Sequence, residues 1–305
     1  MTQSRNRLAP GAGPAALRQV WREHPFVIAP GVHDLFSLRI VESAGFSSAA
    51  ISGAVLSQAL LGMPDVGLLT LTEAVEHCRR LTRMASIPVT ADADAGYGNP
   101  LGVYHTVQMF EEAGAAGINL EDQVVPRRFG AGSGKEVVPE VEMVAKIRAA
   151  CTARRSSDFA LIVRTDAFAC EDQGSVVRRC RAYQDAGADV VMPIAPKSEA
   201  DIEELVRVLD VPVSLNVGTG LAPARSAGMV PVPRLRELGV RRVSLPSILP
   251  VAAAAAMANA LGRLQVSLDG KPVATEPEPL ELAQIMGDAE WLALESQLLN
   301  KQIQK

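Results

Sequence analysis

Between residues 26 and 245 the chain alternates eight times between a short apolar run and a longer helix-like stretch. The runs, at 26–30, 47–52, 87–91, 117–121, 159–164, 189–193, 211–217 and 242–245, have strand length. Gly45, Gly114, Gly187 and Gly239 each follow a predicted helix and precede a strand by a few residues. That is where a left-handed C-cap belongs. Eight such units over about 240 residues match an α/β protein of the (β/α)8 (TIM) barrel type. A doubly wound sheet is the competitor. It usually carries a glycine-rich phosphate fingerprint after its first strand, and none stands here.

Several runs end on charge. The third leads into Asp92-Ala93-Asp94-Ala95-Gly96-Tyr97-Gly98-Asn99, the fourth ends at Glu121-Asp122 and the fifth at Arg164-Thr165-Asp166. Positions i and i+2 of a strand share a face, so Asp92 and Asp94 are expected to converge at a strand end. Two like charges so close call for a divalent cation, a shared proton or an arginine. One aspartate beside glycines reads as a turn cap. The ends of parallel barrel strands share one active-site face. There Ser52, Asp92, Asp94, Glu121, Arg164 and Asn216 are expected to meet. An oxygen-only set of this kind suits a hard cation such as Mg2+. A facing guanidinium suits a substrate carboxylate held in a fork. A 2-oxo acid chelating the cation would then have its enolate stabilised.

The formal net charge of −4 gives no sign of a nucleic-acid or anionic-membrane partner. The four cysteines are scattered, without zinc spacing, which fits a reducing cytoplasm. The polar, Gly/Pro/Arg-bearing start lacks the apolar centre of a signal peptide. The apolar, alanine-rich run at 250–261 is too short to span a bilayer and reads as a buried helix. The expected organisation is a disordered arm at 1–14, a barrel at 15–265 and a helical extension at 266–305. The extension, which carries Trp291 and Leu292, is expected to dock on another subunit.

Taken together, Ser52-Gly53, Gly62-Met63-Pro64-Asp65, the Asp92 to Asn99 stretch, Glu121-Asp122-Gln123 and Arg164-Thr165-Asp166 resemble the isocitrate lyase/phosphoenolpyruvate mutase superfamily. The resemblance covers roughly residues 25–265. It implies a (β/α)8 barrel whose last helix is swapped between subunits, usually in homotetramers. It also implies Mg2+ or Mn2+ held by Asp65, Asp92, Asp94 and Glu121, some through water. By the same resemblance Ser52, Gly53, Ala54, Asp92 and Arg164 would hold the carboxylate of a 2-oxo acid substrate. Residues 123–138 would form a gating loop that excludes water when closed. Arg164, Glu121 and Tyr97 are the candidates for catalysis, with Asn216 and Arg128 at the substrate's far end.

The departures bear on the reaction. Superfamily lyases acting on isocitrate, methylisocitrate or dimethylmalate carry Lys-Lys/Arg-Cys-Gly-His in the gating loop. Here Arg127-Arg128-Phe129-Gly130-Ala131 stands there, and a phenyl group cannot transfer a proton. Ile194 stands near the place of a strand-six glutamate, and the phosphonopyruvate branch's Asn-Ser-Leu-like loop is absent. Decarboxylation of a 2-oxo diacid needs only an electron sink and a weak proton source, so it is expected ahead of retro-aldol cleavage. The alternatives are P–C bond chemistry on a phosphonopyruvate-like substrate, or a binding paralogue that has lost turnover.

Overall fold

The computed structural model describes residues 12–127, 134–218, 230–273 and 282–303. In chain order the elements are α1 (Pro14–Glu23), β1 (Val27–Val32), α2 (Leu35–Ser43), β2 (Ala49–Ile51) and α3 (Gly53–Leu56), with a π turn at Ser57–Leu61. They continue with α4 (Leu71–Thr82), β3 (Val89–Asp92), α5 (Pro100–Glu112), β4 (Gly117–Glu121), α6 (Glu140–Ala153) and β5 (Ala160–Thr165). Next come α7 (Gln173–Ala186), β6 (Val190–Pro193), α8 (Glu199–Val208), β7 (Ser214–Asn216), α9 (Val232–Glu237) and β8 (Arg242–Leu245). The chain closes with α10 (Ile248–Leu268), α11 (Leu282–Met286) and α12 (Asp288–Ile303).

All strand pairs are parallel, in the order β6-β5-β4-β3-β2-β1-β8-β7. A single parallel bridge, Val191 to Val213, joins the two end strands and makes this a (β/α)8 barrel. The four glycines at the helix ends all have positive φ, between 83° and 112°, so the stop signals read in the sequence act as C-caps. Helix starts are equally local in origin: Asp34, Thr70 and Ser198 each close a capping box. One continuous apolar core then fills the space between strands and helices, with Leu38, Leu81, Phe110, Ile147, Phe159 and Tyr183 fully buried. Burial of a side chain such as Leu81 contributes about 2 kcal/mol.

Three expectations change. Ala12 already donates its N–H to Ala85 O, and α1 starts at Pro14, so order begins before residue 15. The barrel's last helix runs to Leu268, which moves the boundary of the extension past 265. The 250–261 run is not a buried helix: it lies inside α10, none of whose 21 residues is buried. Ile248 and Leu249 pack on the core, whereas Met257, Leu261, Leu264 and Leu268 are exposed. The alanines make the helix apolar on every side, so composition alone signals burial without saying against what. By length and composition α10 could also span a membrane, against the expectation from the shorter run. In the extension, α11 packs on α2 and buries Ile285, while Trp291 and Leu292 on α12 are exposed.

Candidate active site

Asp92 ends β3, and the next residues leave the strand. Asp94 has a φ of +50°, so the strand alternation expected to align the two aspartates does not extend to it. The turn does that work instead. The Asp94 N–H donates to Asp92 Oδ1 (3.0 Å), and the Ala95 N–H donates to Asp94 Oδ1 (3.1 Å). Aspartate tolerates the left-handed region because its short side chain bonds locally. Tyr97 takes the same region (φ +53°), which is strained for a bulky residue.

The other oxygen of Asp92 reaches β2's exit. Gly53 N–H donates to Asp92 Oδ2 (3.0 Å). A Cβ on residue 53 would lie 3.1 Å from that oxygen, so glycine is what lets the backbone close in. Ser52 is the N-cap of α3, with no side-chain capping bond, and Ala54 follows it, half-buried. Gly53, Asp65, Asp92, Asp94 and Tyr97 line one small cavity, about 230 Å3 including its opening to solvent.

Arg127 reaches two of these carboxylates from the loop after β4. Its NH2 donates to Asp94 Oδ1 (2.8 Å) and Glu121 Oε1 (2.7 Å), and its NH1 donates to Asp65. Its guanidinium thus sits among three of the four residues expected to bind metal. Arg164, on β5, stands on the far side of Glu121, with NH1 3.1 Å from Glu121 Oε2. That contact lacks hydrogen-bond alignment, and Oε2 is buried without a hydrogen-bond partner. Asp166 takes the rest of the Arg164 fork, from Nε (2.7 Å) and NH2 (3.1 Å), and also pairs with Lys135.

Asp166 is itself placed from behind. Its N–H donates to the buried carboxylate of Asp122, which also accepts from Thr165 Oγ1 (2.6 Å) and the Tyr183 hydroxyl (2.8 Å). Burial pushes the Asp122 carboxyl up from its ordinary value, against these three hydrogen bonds. The Asp166 carboxyl goes the other way. Burial opposes its charge, but the Arg164 guanidinium and the Lys135 ammonium hold it below the usual carboxylate range.

Asp94 is pushed up to about 7, first by burial and then by the charge of Glu121, with Arg127 opposing. Burial works against the charge of Arg127, yet Glu121, Asp94 and Asp65 outweigh it and raise its pKa further. The same balance holds for Arg164 between burial and the charges of Glu121 and Asp166. Burial and the nearby Asp94 carboxylate push the Tyr97 phenol up, so it is neutral and available as a donor.

Asp65, Asp94 and Glu121 fit a hard divalent cation by donor chemistry, being carboxylates gathered around one guanidinium, that of Arg127. With the guanidinium between them, no three acidic, histidine or cysteine side chains among the described residues form a metal-holding group. The guanidinium is an imperfect occupant, since Arg127 Nε is buried without an acceptor and Glu121 Oε2 is left over. A compact cation would use those oxygens without bringing a surplus donor.

Asn216 ends β7 but is not part of this cluster: its Oδ1 accepts from Gly218 N–H (3.1 Å) and caps its own loop. Arg128 lies outside the described residues, as do Phe129 and Ala131. Sequence reasoning passed over Asn119, whose Oδ1 is buried without a partner. It pairs in register with Asp92 and sits two residues before Glu121 on the same strand face, and that spacing was the available signal.

Comparison with known proteins agrees with this fold. The family model for phosphoenolpyruvate phosphomutase matches residues 17–265. The chain belongs to the phosphoenolpyruvate mutase/isocitrate lyase superfamily. It is 37% identical over 255 residues to a probable 2-methylisocitrate lyase of Corynebacterium glutamicum, covering 84% of this chain and 81% of the relative. It is 37% identical over 239 residues to an oxaloacetate decarboxylase of Rhodopseudomonas palustris, covering 78% and 80%. A crystal structure of phosphonopyruvate hydrolase with oxalate and Mg2+ superposes with a TM-score of 0.78 at 29% identity, covering 94% and 99%. The chain is thus similar along most of its length to enzymes of small carboxylic acids.

Proposed function

We propose that this chain is a Mg2+- or Mn2+-dependent lyase that cleaves a C–C bond of a small 2-oxo or 2-hydroxy diacid, with decarboxylation ahead of retro-aldol cleavage. The observation that carries the reading is the gathering of Asp65, Asp94 and Glu121 around Arg127 at one end of the barrel, with Glu121 also facing the Arg164 guanidinium. Asp65, Asp94, Glu121 and, through water, Asp92 would hold the cation. The cation, when bound, supplies the electron sink that stabilises the enolate left by C–C cleavage. Arg164, fixed in orientation by Asp166, presents the charge that holds the substrate carboxylate. Gly53 and Ser52 bring backbone N–H groups to the same end of the site. Tyr97, neutral at the cavity wall, donates a hydrogen bond to the substrate, and the carbon that loses CO2 takes its proton from water or a weak acid. Lys135 draws the loop toward Asp166 and helps exclude water.

Phe129 in place of the lyase loop cysteine supports decarboxylation, which asks no acid–base work of that position. The similarity to an oxaloacetate decarboxylase points the same way. We further propose a cytoplasmic homo-oligomer in which α10, apolar and without a buried residue, is covered by a second copy, as helix swapping into a homotetramer would do.

The test is an NMR assay with Mg2+ against oxaloacetate, its 3-alkyl derivatives, methylisocitrate, dimethylmalate and phosphonopyruvate. Asp94→Ala and Asp65→Ala proteins run in parallel, because free metal decarboxylates oxaloacetate unaided. Pyruvate formed by the wild type and reduced at least a hundredfold in both variants is the expected result. Turnover confined to phosphonopyruvate would replace the reading with P–C chemistry. No turnover of any substrate, with Mn2+ still bound, would make the chain a binding protein.

A further inference from the structure

The opposite end of the barrel holds a second polar feature that the proposed chemistry does not use. Helix α1 closes this floor. Leu17 packs on Ala116 and Ala160, and Trp21 packs on the same pair and on Ile162, Val190 and Met192. Arg242, the first residue of β8, is buried at 2% exposure. Its NH1 donates to Ser214 Oγ (3.1 Å) and its NH2 to Thr90 Oγ1 (3.2 Å). Both partners are neutral hydroxyls. Among the described residues no carboxylate answers its charge: burial alone acts on it and pushes its pKa down to about 10. At neutral pH the guanidinium is therefore charged and without a counter-charge, a costly state in a barrel interior.

A second unmet group stands beside it. Trp21 Nε1 is buried with no acceptor. Trp21 and Arg242 line the same cavity, about 280 Å3 including its opening to solvent, together with His24, Val190, Pro212 and Arg241. No acidic residue lines it. Asp189, next to Val190, is already engaged by Arg18 (2.8 Å), Arg154 (2.8 Å) and the Leu161 N–H (2.8 Å). A donor-only indole N–H and a guanidinium with N–H groups to spare ask for an acceptor that carries negative charge. Water can accept from both but leaves the charge unanswered.

We propose that this floor cavity binds a small inorganic anion of halide size, held between the Arg242 guanidinium and the Trp21 indole N–H. The anion is a structural counter-ion of the barrel, remote from the carboxylate cluster.

Trp21 and Trp291 are the two tryptophans of the chain, so Trp291→Phe leaves Trp21 as the sole indole reporter. That protein is titrated with sodium bromide against sodium gluconate at constant ionic strength. The expected result is a saturable change in Trp21 emission, and a bromide anomalous peak within hydrogen-bond distance of Trp21 Nε1 and Arg242 in crystals. Arg242→Met removes the saturable response. Because that variant can fail to fold, Trp21→Phe gives a second reading: the bromide-dependent rise in Tm of the wild type falls at least threefold. A linear, unsaturable response with no anomalous peak overturns the proposal, as does an undiminished Tm rise in Trp21→Phe.

Discussion

Replacing Arg127 by Met isolates its role at the carboxylate cluster. The guanidinium is one-tenth exposed and pairs with Asp65, Asp94 and Glu121, two of the contacts at 2.7 and 2.8 Å. Removing one partner of a buried charge cluster costs about 3–5 kcal/mol. The figure here is lower, because Asp65 is 30% exposed and Asp94, already pushed up to about 7, can take up a proton. About 2 kcal/mol is a fair expectation for the metal-free protein. A divalent cation binding to the same carboxylates must first break these ion pairs in the wild type but not in the variant. Linkage then returns the same 2 kcal/mol as tighter binding, about thirtyfold in Kd. Mn2+ affinity is read at pH 7 from the EPR signal of free Mn2+, without reference to turnover. Metal-free Arg127→Met melts lower than wild type, and saturating Mn2+ closes the gap. An unchanged or weaker Mn2+ affinity would refute the argument, since it would mean that Arg127 and the cation do not compete for these oxygens.

Two other outcomes follow from the same structure. The folded-state pKa of Asp94 is raised from 3.8 to about 7, so between those values the folded, metal-free chain holds a proton that the unfolded chain has lost. This group's contribution to stability therefore falls as pH rises from about 4 to 7, and Mn2+ binding strengthens over that window with release of a proton. Calorimetry in buffers of different ionisation enthalpy measures the release, and a proton count near zero at pH 6 counts against the assignment. On the surface, Met257→Glu with Leu261→Glu places two charges on the exposed face of α10. Light scattering is expected to show a smaller particle with an unchanged circular dichroism spectrum, and an undiminished mass would exclude α10 from the interface.

Much of the barrel was legible because its signals are local. A glycine after each of four helices, a capping box at three helix starts and strand-length apolar runs each depend on a few neighbouring residues. The β4 and β8 bounds expected from the sequence coincide with those observed for this reason. Asp94 shows where local reasoning fails even at short range. The i, i+2 rule holds only while the strand continues, and β3 stops at Asp92. A left-handed residue then re-aims the carboxylate. α10 was misread for a different reason. Hydropathy reports that a surface is apolar, not whether its cover lies in the same chain.

Charge pairing is the part that no periodicity encodes. Arg127 meets Asp65 across 62 positions of sequence, and Asp122 receives Tyr183 across 61. Such partners are chosen by which strand ends and loops the closed barrel brings together, so they become readable only with the topology in hand. The consequence for the site is specific. Asp92, Asp94, Glu121 and Arg164 were readable singly at or just after strand ends, whereas Asp65, between β2 and α4, entered only through the family resemblance. Their electrostatic state was not readable, because an extra guanidinium from the loop pairs with the cluster and a carboxylate, Asp166, engages two nitrogens of Arg164, the residue proposed to hold the substrate. A substrate carboxylate reaching Arg164 must therefore come to the NH1 side or share NH2 with Asp166, next to Glu121. This places the carboxylate between the guanidinium and the cluster that would hold the cation, the arrangement that a chelated 2-oxo acid requires.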